Sequence, residues 1–149
     1  MTLEEAMALA LEEAAVAGAA GDVPVGAVAL AGDEVVGRGH NEREQRGDPT
    51  GHAELVALRE ASQALGTWRL HAVTLVVTLE PCAMCAGALV AGRVGRLVFA
   101  AADPKAGACG SLYNLCADPR LNHEVQVTRG VLADAAATLL RDFFAGRRP

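Results

Sequence analysis

Two short segments of this chain constrain its fold most, because their side chains form a set that must meet in space. The first is His52-Ala53-Glu54 and the second is Pro81-Cys82-Ala83-Met84-Cys85. One imidazole and two thiolates suit zinc, and three protein ligands leave the fourth tetrahedral position open for water. Zinc acidifies such a water from a pKa of ~15.7 to about 7. The fold must therefore bring two well-separated segments together around one ion.

The spacing within each segment indicates a role for each side chain. Cys82 and Cys85 are three positions apart, so the first turn of a helix places both thiolates on one face, with Pro81 suited to the position just ahead. A helix N-terminus also stabilises anionic sulfur. His52 and Glu54 diverge by roughly 200° on a helix, at about 100° per residue. Glu54 is therefore predicted to carry protons beside the metal and not to bind it.

A closed structural zinc site is the alternative interpretation of these residues, with His40, His71 or His123 as the fourth ligand. A lone Cys-x-x-Cys segment would favour such a site or a redox motif. His-x-Glu combined with Pro-Cys-x-x-Cys is instead the signature of zinc nucleobase deaminases, whose site is open and catalytic. Cys109 and Cys116 match no common zinc spacing, and we interpret them as ordinary buried thiols.

Length and composition restrict the class of protein. A chain of 149 residues is predicted to form one zinc-dependent deaminase domain over residues 1–149, and it needs neither a disulfide nor a structural metal to fold. The net charge of -5 argues against a protein that coats nucleic acid by bulk electrostatics. The four cysteines, the acidic start and the lack of an apolar run of ~18 residues predict a cytoplasmic protein without a membrane span.

Hydrophobic periodicity and capping residues predict alternating helices and strands. Thr2 and Glu5 form a capping box for a first helix that ends near Gly18. Gly32-Asp33 joins the first two strands into an antiparallel hairpin, and a loop covers residues 41–51. The predicted strands are 23–30, 34–39, 74–79, 96–100 and 124–128, and the later helices are 52–65, 82–91 and 132–144.

This order of elements predicts an α/β domain with a mostly parallel sheet and helices on both faces. Roughly 23 residues separate the fourth strand from the fifth, which is enough for the crossover that a parallel pair requires. A tight antiparallel turn there would instead indicate the small cytidine-type enzymes. Both motif segments lie at a helix N-terminus, so two helix ends are expected to meet at the metal.

The chain resembles the bacterial tRNA-specific adenosine deaminases over nearly its whole length. Outside the metal motif, the matching segments are Val23-Pro24-Val25-Gly26-Ala27, Asn41, Asp48-Pro49-Thr50, Leu79-Glu80-Pro81-Cys82, Gly110-Ser111-Leu112, Leu121-Asn122-His123 and Asp142-Phe143-Phe144. The metal motif alone specifies only a deaminase superfamily, whereas the last segments resemble the tRNA branch. The resemblance implies a three-layer α/β/α, cytidine-deaminase-like fold with a five-stranded mixed sheet.

The resemblance also implies an activity and its residues. The activity is hydrolytic deamination of adenosine to inosine at the wobble position of an arginine tRNA, with one zinc ion per subunit. His52, Cys82 and Cys85 are the implied zinc ligands, Glu54 the proton shuttle, and Asn41 a hydrogen-bond partner of the extruded base. The implied partners are a tRNA anticodon loop and a second copy in a homodimer, with no DNA and no membrane. The alanine- and glycine-rich residues 86–92 suit contact with this second subunit, and helix packing inside one subunit would explain them equally well.

Further substrate contacts are predicted in a loop and in the last helix. Asp103 is predicted to accept a hydrogen bond from a ribose 2'-hydroxyl, which distinguishes RNA from DNA, and Lys105 shares its loop. Phe144 is predicted to pack against a nucleotide, with Arg147 and Arg148 near phosphates. The alternatives are ordinary turn chemistry in the loop and an aromatic pair that pins the last helix to the sheet.

Two other functions remain open from the sequence. One is a zinc deaminase of free purine or pyrimidine bases or nucleosides, and the other is a non-catalytic, zinc-stabilised binding module. Glu54 separates the enzymes from the binding module, because a module of that kind has no need of a proton carrier beside its metal. A surface groove able to hold an anticodon loop would separate the first two.

Overall fold

The computed structural model describes residues 1–147. Its helices are α1 (Leu3–Ala19), α2 (Arg43–Arg46), α3 (Ala53–Leu65), α4 (Ala83–Ala91) and α5 (Ala133–Ala145), with one 3-10 turn at Leu115–Ala117. Its strands are β1 (Gly26–Ala31), β2 (Glu34–His40), β3 (Val73–Leu79), β4 (Arg96–Ala101) and β5 (Gln126–Arg129). Among these residues, no helix is long and apolar enough to cross a membrane.

The five strands form one mixed sheet in the order β2-β1-β3-β4-β5. β1 runs antiparallel to both of its neighbours, β2 and β3. β3 pairs with β4, and β4 with β5, in parallel. The predicted parallel alignment of the fourth and fifth strands is confirmed. The expectation of a mostly parallel sheet is wrong for β1, because this strand pairs antiparallel with both β2 and β3.

Helices cover both faces of the sheet, which gives the predicted three layers. On one face, α1 and α5 pack against alternate strand residues such as Val28, Val76 and Val98. On the other face, α3 and α4 pack against Leu75 and the residues that point the opposite way. Each central strand is buried on both sides, as expected for strands between two helical layers.

Two glycines in β2 let α3 lie unusually close to the sheet. A Cβ atom built on Gly37 or Gly39 would overlap the backbone of α3, at the carbonyl oxygens of Ala57 and Ala53 respectively. Only a residue without a side chain permits this approach. The start of α3, where the first motif segment lies, is thereby fixed against the end of β2.

The helix start predicted at Thr2 is confirmed, since Thr2 and Glu5 form a reciprocal capping box. The first strand begins at Gly26 rather than Val23. Val23 and Val25 are instead linked to each other, with the Val25 N–H donating to the Val23 carbonyl at 2.8 Å. Pro24 between them has no N–H to donate to a neighbouring strand.

The predicted loop over residues 41–51 contains the short helix α2. Buried Asp22 holds this helix in place, because its two carboxylate oxygens accept the N–H groups of Glu44 and Gln45 at 2.7 and 3.1 Å. Nothing in the local sequence of the loop signals this contact, because Asp22 precedes the β1–β2 hairpin in the chain and the loop follows it.

Candidate active site

The two motif segments meet at the N-termini of two helices. His52 is the N-cap residue of α3, and Cys82 is the N-cap residue of α4. His52 Nδ1 lies 3.6 Å from Cys82 Sγ and 3.5 Å from Cys85 Sγ. The three donor atoms all lie within 4.8 Å of one another. The fold therefore collects the predicted His/Cys/Cys set into one group that can hold a metal ion.

The spacing of these atoms fits a tetrahedral zinc ion. Bonds of about 2.3 Å to sulfur and about 2.0–2.1 Å to nitrogen place neighbouring S and N ligand atoms roughly 3.5–3.6 Å apart. The two measured S···N separations, 3.6 and 3.5 Å, fall at that value. Hydrogen bonding from Cys85 and His52 lowers the pKa of Cys82 to about 3, while the contact with Cys82 raises the pKa of Cys85, so the free group favours a thiolate at Cys82.

The histidines considered as a fourth ligand lie elsewhere. His40 Nδ1 is 3.0 Å from a carboxylate oxygen of Glu13, and His123 Nε2 is 2.7 Å from the carbonyl oxygen of Val94. Neither these histidines nor His71 belongs to the cluster around His52, which has three members within the described part of the chain. The arrangement supports an open metal site over a closed structural one.

Glu54 lies beside the three donor atoms without joining them. It sits in the first turn of α3 and is only 4% exposed. Burial raises the pKa of Glu54 to about 7. A carboxylate of that pKa can both accept and release a proton near neutral pH, as a general acid–base group must. Its position matches the role predicted for it, which stays a prediction.

Asn41 lines the pocket that opens in front of His52 and Glu54. Its Nδ2 donates to the Val23 carbonyl at 3.2 Å, and its Oδ1 accepts the Arg43 N–H at 3.1 Å. The amide retains one N–H and one lone pair beyond these two contacts. These two loop contacts are thus compatible with the base contact that the resemblance implies for Asn41.

Glu80 is a buried pocket residue to which sequence analysis gave no role. Its carboxylate is 2% exposed and accepts the backbone N–H groups of Asp103, Cys109 and Ser111, each at 3.0 Å, as well as the Ser111 hydroxyl. Burial opposes its ionisation, but these hydrogen bonds outweigh burial and hold the pKa of Glu80 below its usual range. Its place directly before Pro81 was the only sequence signal.

The other predicted substrate residues divide between two surfaces. Asp103 lines the pocket, and its Oδ1 accepts the N–H groups of Lys105 and Ala106 at 3.1 and 3.2 Å. Lys105 instead lines a separate surface groove together with Phe144 and Arg147. Phe144 is 45% exposed there. Arg148 lies outside the described residues.

Cys109 and Cys116 are fully buried and free, as predicted. Their sulfur atoms are 3.6 Å apart, and the Cys116 thiol donates to Cys109. Neither belongs to the His52 cluster.

Comparison with known proteins agrees with the geometry of the site. The MafB19-like deaminase family model matches residues 1–148. The chain is 48% identical over 145 residues to the tRNA-specific adenosine deaminase of Bacillus subtilis (strain 168). The alignment covers 97% of this chain and 90% of that protein. The chain belongs to the tRNA-specific adenosine deaminase family. The resemblance found in the sequence is confirmed. This member of the adenosine deaminase family is an enzyme, and its His52, Cys82 and Cys85 form a group that can hold a metal ion.

Solved structures place this adenosine deaminase among proteins of the same fold. One is a chain from a study of A-to-I editing by tRNA:A34 deaminases at the wobble position of transfer RNA. It aligns with a TM-score of 0.88 at 40% identity, over 91% of this chain and 99% of that chain. A guanine deaminase from Nitrosomonas europaea aligns with a TM-score of 0.83 at 30% identity, over 95% and 84% of the two chains. The predicted five-stranded mixed fold is confirmed.

Proposed function

We propose that this enzyme deaminates adenosine to inosine at the wobble position of tRNA, with an arginine tRNA as substrate. The observation that supports this most is the 48% identity to a tRNA-specific adenosine deaminase over 97% of the chain. The guanine deaminase is less similar, at 30% identity. The grouping of His52, Cys82 and Cys85, with Glu54 beside them, adds the chemistry that such a reaction needs.

Zinc is the proposed ion for the group of His52, Cys82 and Cys85. Zinc bound there would supply a water nucleophile that is activated near neutral pH. Glu54 would hold a proton at its carboxylate and pass it to adenine N1. Glu54 would then move a second proton, taken from the hydroxyl group added at C6, to the departing amine. Adenosine and water are consumed, and inosine and ammonia are formed.

The pocket residues hold the base in place for this chemistry. Asn41 offers its remaining N–H and lone pair to the base edge. Asp103 uses Oδ1 for its own turn, and Oδ2 is proposed to accept a ribose 2'-hydroxyl, which a deoxyribose lacks. Partial enclosure by the surrounding side chains excludes bulk water, which strengthens these polar contacts.

A neighbouring groove is proposed to bind the RNA backbone. Lys105, Arg141 and Arg147 contribute positive charge to it, and Phe144 contributes an exposed ring. Cationic side chains contact phosphates, while aromatic rings stack on bases without sequence preference. Lys105 is two residues from Asp103, so one loop contributes to both the pocket and the groove. A local groove of this kind suits a chain whose overall charge is negative.

A homodimer is proposed, with its contact at an apolar groove between α3 and α4. We call it the α3–α4 groove, and its apolar lining is Leu55, Leu58, Trp68, Leu70, Ala88 and Ala91. Trp68 is 55% exposed, which is unusual for the single tryptophan of a chain. Within residues 86–92, Leu89 packs inside the subunit, whereas Ala88 and Ala91 line the groove.

Deamination of a free base is the second candidate function, favoured by the similarity to the guanine deaminase.

Cytoplasmic localisation, expected from the cysteine content, stays a prediction.

The test is nucleoside analysis of an arginine anticodon stem-loop with A at the wobble position, after incubation with purified, zinc-loaded protein. Free adenosine, cytidine and guanine are incubated in parallel. Inosine in the stem-loop alone is the expected result. Deamination of a free base with the RNA untouched would favour the second candidate. Inactivity on every substrate, with zinc bound, would point to a binding module.

A further inference from the structure

We propose that Glu80 is a positioning residue, whose carboxylate holds residues 103–111 in place as one wall of the substrate pocket. This inference rests on the function proposed above and concerns how the same site binds RNA. Glu80 is not a catalytic residue, because its role is to order a loop that touches the substrate.

The hydrogen bonds of Glu80 span the whole loop. Oε1 accepts from the Asp103 N–H at the beginning of the loop and from the Ser111 hydroxyl at its end. Oε2 accepts the N–H groups of Cys109 and Ser111. An ionised carboxylate offers about four lone-pair sites. All four lone-pair sites are used, so the side chain cannot accept a hydrogen bond from the substrate or a proton during the reaction.

The loop has a direct connection to the pocket and to the groove. Asp103 and Ala106 line the pocket, while Lys105 between them lines the groove. Gly107 follows, and a Cβ atom there would overlap the Glu80 carboxyl group. Backbone and carboxylate are therefore in close contact, and displacing the carboxylate moves the residues that face the RNA.

The four hydrogen bonds of Glu80 do not involve the metal cluster. All four are made to the loop, and none to His52, Cys82 or Cys85. Cys82 is placed by its own position as the N-cap residue of α4. Loss of the Glu80 contacts is therefore expected to impair substrate binding while zinc stays bound.

The glutamine variant is informative because it keeps the size of the side chain. An amide has one acceptor oxygen, and its NH₂ group would face at least one backbone N–H donor in either orientation. Glu80→Gln thus removes half of the acceptors and adds a repulsive contact. Ser111→Ala removes a single donor, whereas Ser111→Thr keeps the hydroxyl. Thr78→Val is the matched control: Thr78 is equally buried on β3, and its hydroxyl accepts the Gly26 N–H at 3.1 Å, away from the loop.

The experiment measures kcat and KM on the wobble-A stem-loop, zinc content and thermal midpoint for each zinc-loaded variant. We expect Glu80→Gln to raise KM by ~10–100-fold and Ser111→Ala by ~3–10-fold, with one zinc per chain and kcat of the zinc-loaded fraction within about twofold. Ser111→Thr is expected to restore the wild-type KM. Thr78→Val is expected to lower the thermal midpoint without changing KM.

Two results would overturn the positioning role. In the first, Glu80→Gln and Ser111→Ala behave like Thr78→Val, with lower stability and unchanged KM. In the second, zinc is lost from both variants. If the wild-type protein leaves the stem-loop unchanged, the proposed function fails instead, and the same KM ratios measured with free guanine decide the role of Glu80.

Discussion

His52 and Cys82 occupy the same position on two different helices, the N-cap, and His52 Nδ1 lies 3.6 Å from Cys82 Sγ. Each side chain is placed by the end of a regular element and not by a flexible loop. Two packed helix ends hold their donor atoms at a fixed separation, which reduces the ordering that metal binding requires.

Replacing Cys82 by Ala is expected to abolish stable zinc binding, because an imidazole and one thiolate leave half of the tetrahedral positions without a protein ligand. Zinc per chain, measured by elemental analysis after dialysis, should fall from one towards zero. Cys116→Ala is the matched control, since Cys116 is a buried thiol outside the cluster, and it should keep its zinc. Full zinc retention by the Cys82 variant would contradict the ligand assignment.

Replacing Glu54 by Gln is expected to lower kcat on the stem-loop by about 10²–10⁴-fold, the usual contribution of a general acid–base group. Zinc content should not change, because Glu54 is outside the donor cluster. Single-turnover kinetics combined with elemental analysis checks both expectations. A zinc-free Glu54→Gln protein would mean that this carboxylate binds the metal.

Replacing Gly107 by Ala is expected to destabilise the protein by ~1–3 kcal/mol, because the added methyl group collides with the buried Glu80 carboxylate. Gly87→Ala is the control. Gly87 lies inside α4 with open space around it, so alanine there should stabilise the protein by ~0.5–1 kcal/mol. Urea unfolding of both variants measures the two free energies. Equal effects at the two glycines would rule out the close contact.

Replacing Phe144 by Ala is expected to weaken binding of the stem-loop by roughly 5- to 150-fold, which corresponds to about 1–3 kcal/mol for loss of one stacked base. Binding to a fluorescent stem-loop, measured in the Glu54→Gln background, reports this without turnover. Tyr113→Ala serves as control, since Tyr113 is 62% exposed but lies outside the groove. Unchanged affinity in the Phe144 variant would assign the ring to surface packing.

Replacing Trp68 by Glu is expected to convert the dimer into a monomer, because a charge in the α3–α4 groove is costly to bury at an interface. Val16→Glu is a matched change, as Val16 is 50% exposed on α1, on the opposite face of the sheet. Light scattering after size-exclusion chromatography gives the mass of each protein. A wild-type monomer, or a Trp68→Glu dimer, would exclude this groove as the subunit contact.

Local signals predicted most of the elements correctly. The capping box at Thr2, the hairpin turn after β1 and the long crossover before β5 are all encoded in neighbouring residues, and the structure confirms each. The position of the metal motif at two helix ends was also predictable, because Pro81 and the Cys82–Cys85 spacing indicate the first turn of a helix.

The features that were missed depend on residues far apart in the chain. α2 is held by Asp22, and the pocket wall by Glu80. Both carboxylates accept backbone N–H groups, which every loop offers, so no side-chain pattern reveals the contact. The antiparallel pairing of β1 with β3 was likewise hidden, since strand order is decided by packing across the whole sheet.

β3 lies in the middle of the sheet, between β1 and β4. His52 precedes this strand and Cys82 follows it, so the imidazole and the thiols meet only after β3 has paired with β1, on which α3 packs. Pairing of strands that are distant in sequence is a slow step of folding. During synthesis, the chain therefore cannot form the complete donor set early, and an ion that binds only the finished arrangement stabilises the native protein by mass action. Metal uptake would then report that β3 has paired with β1.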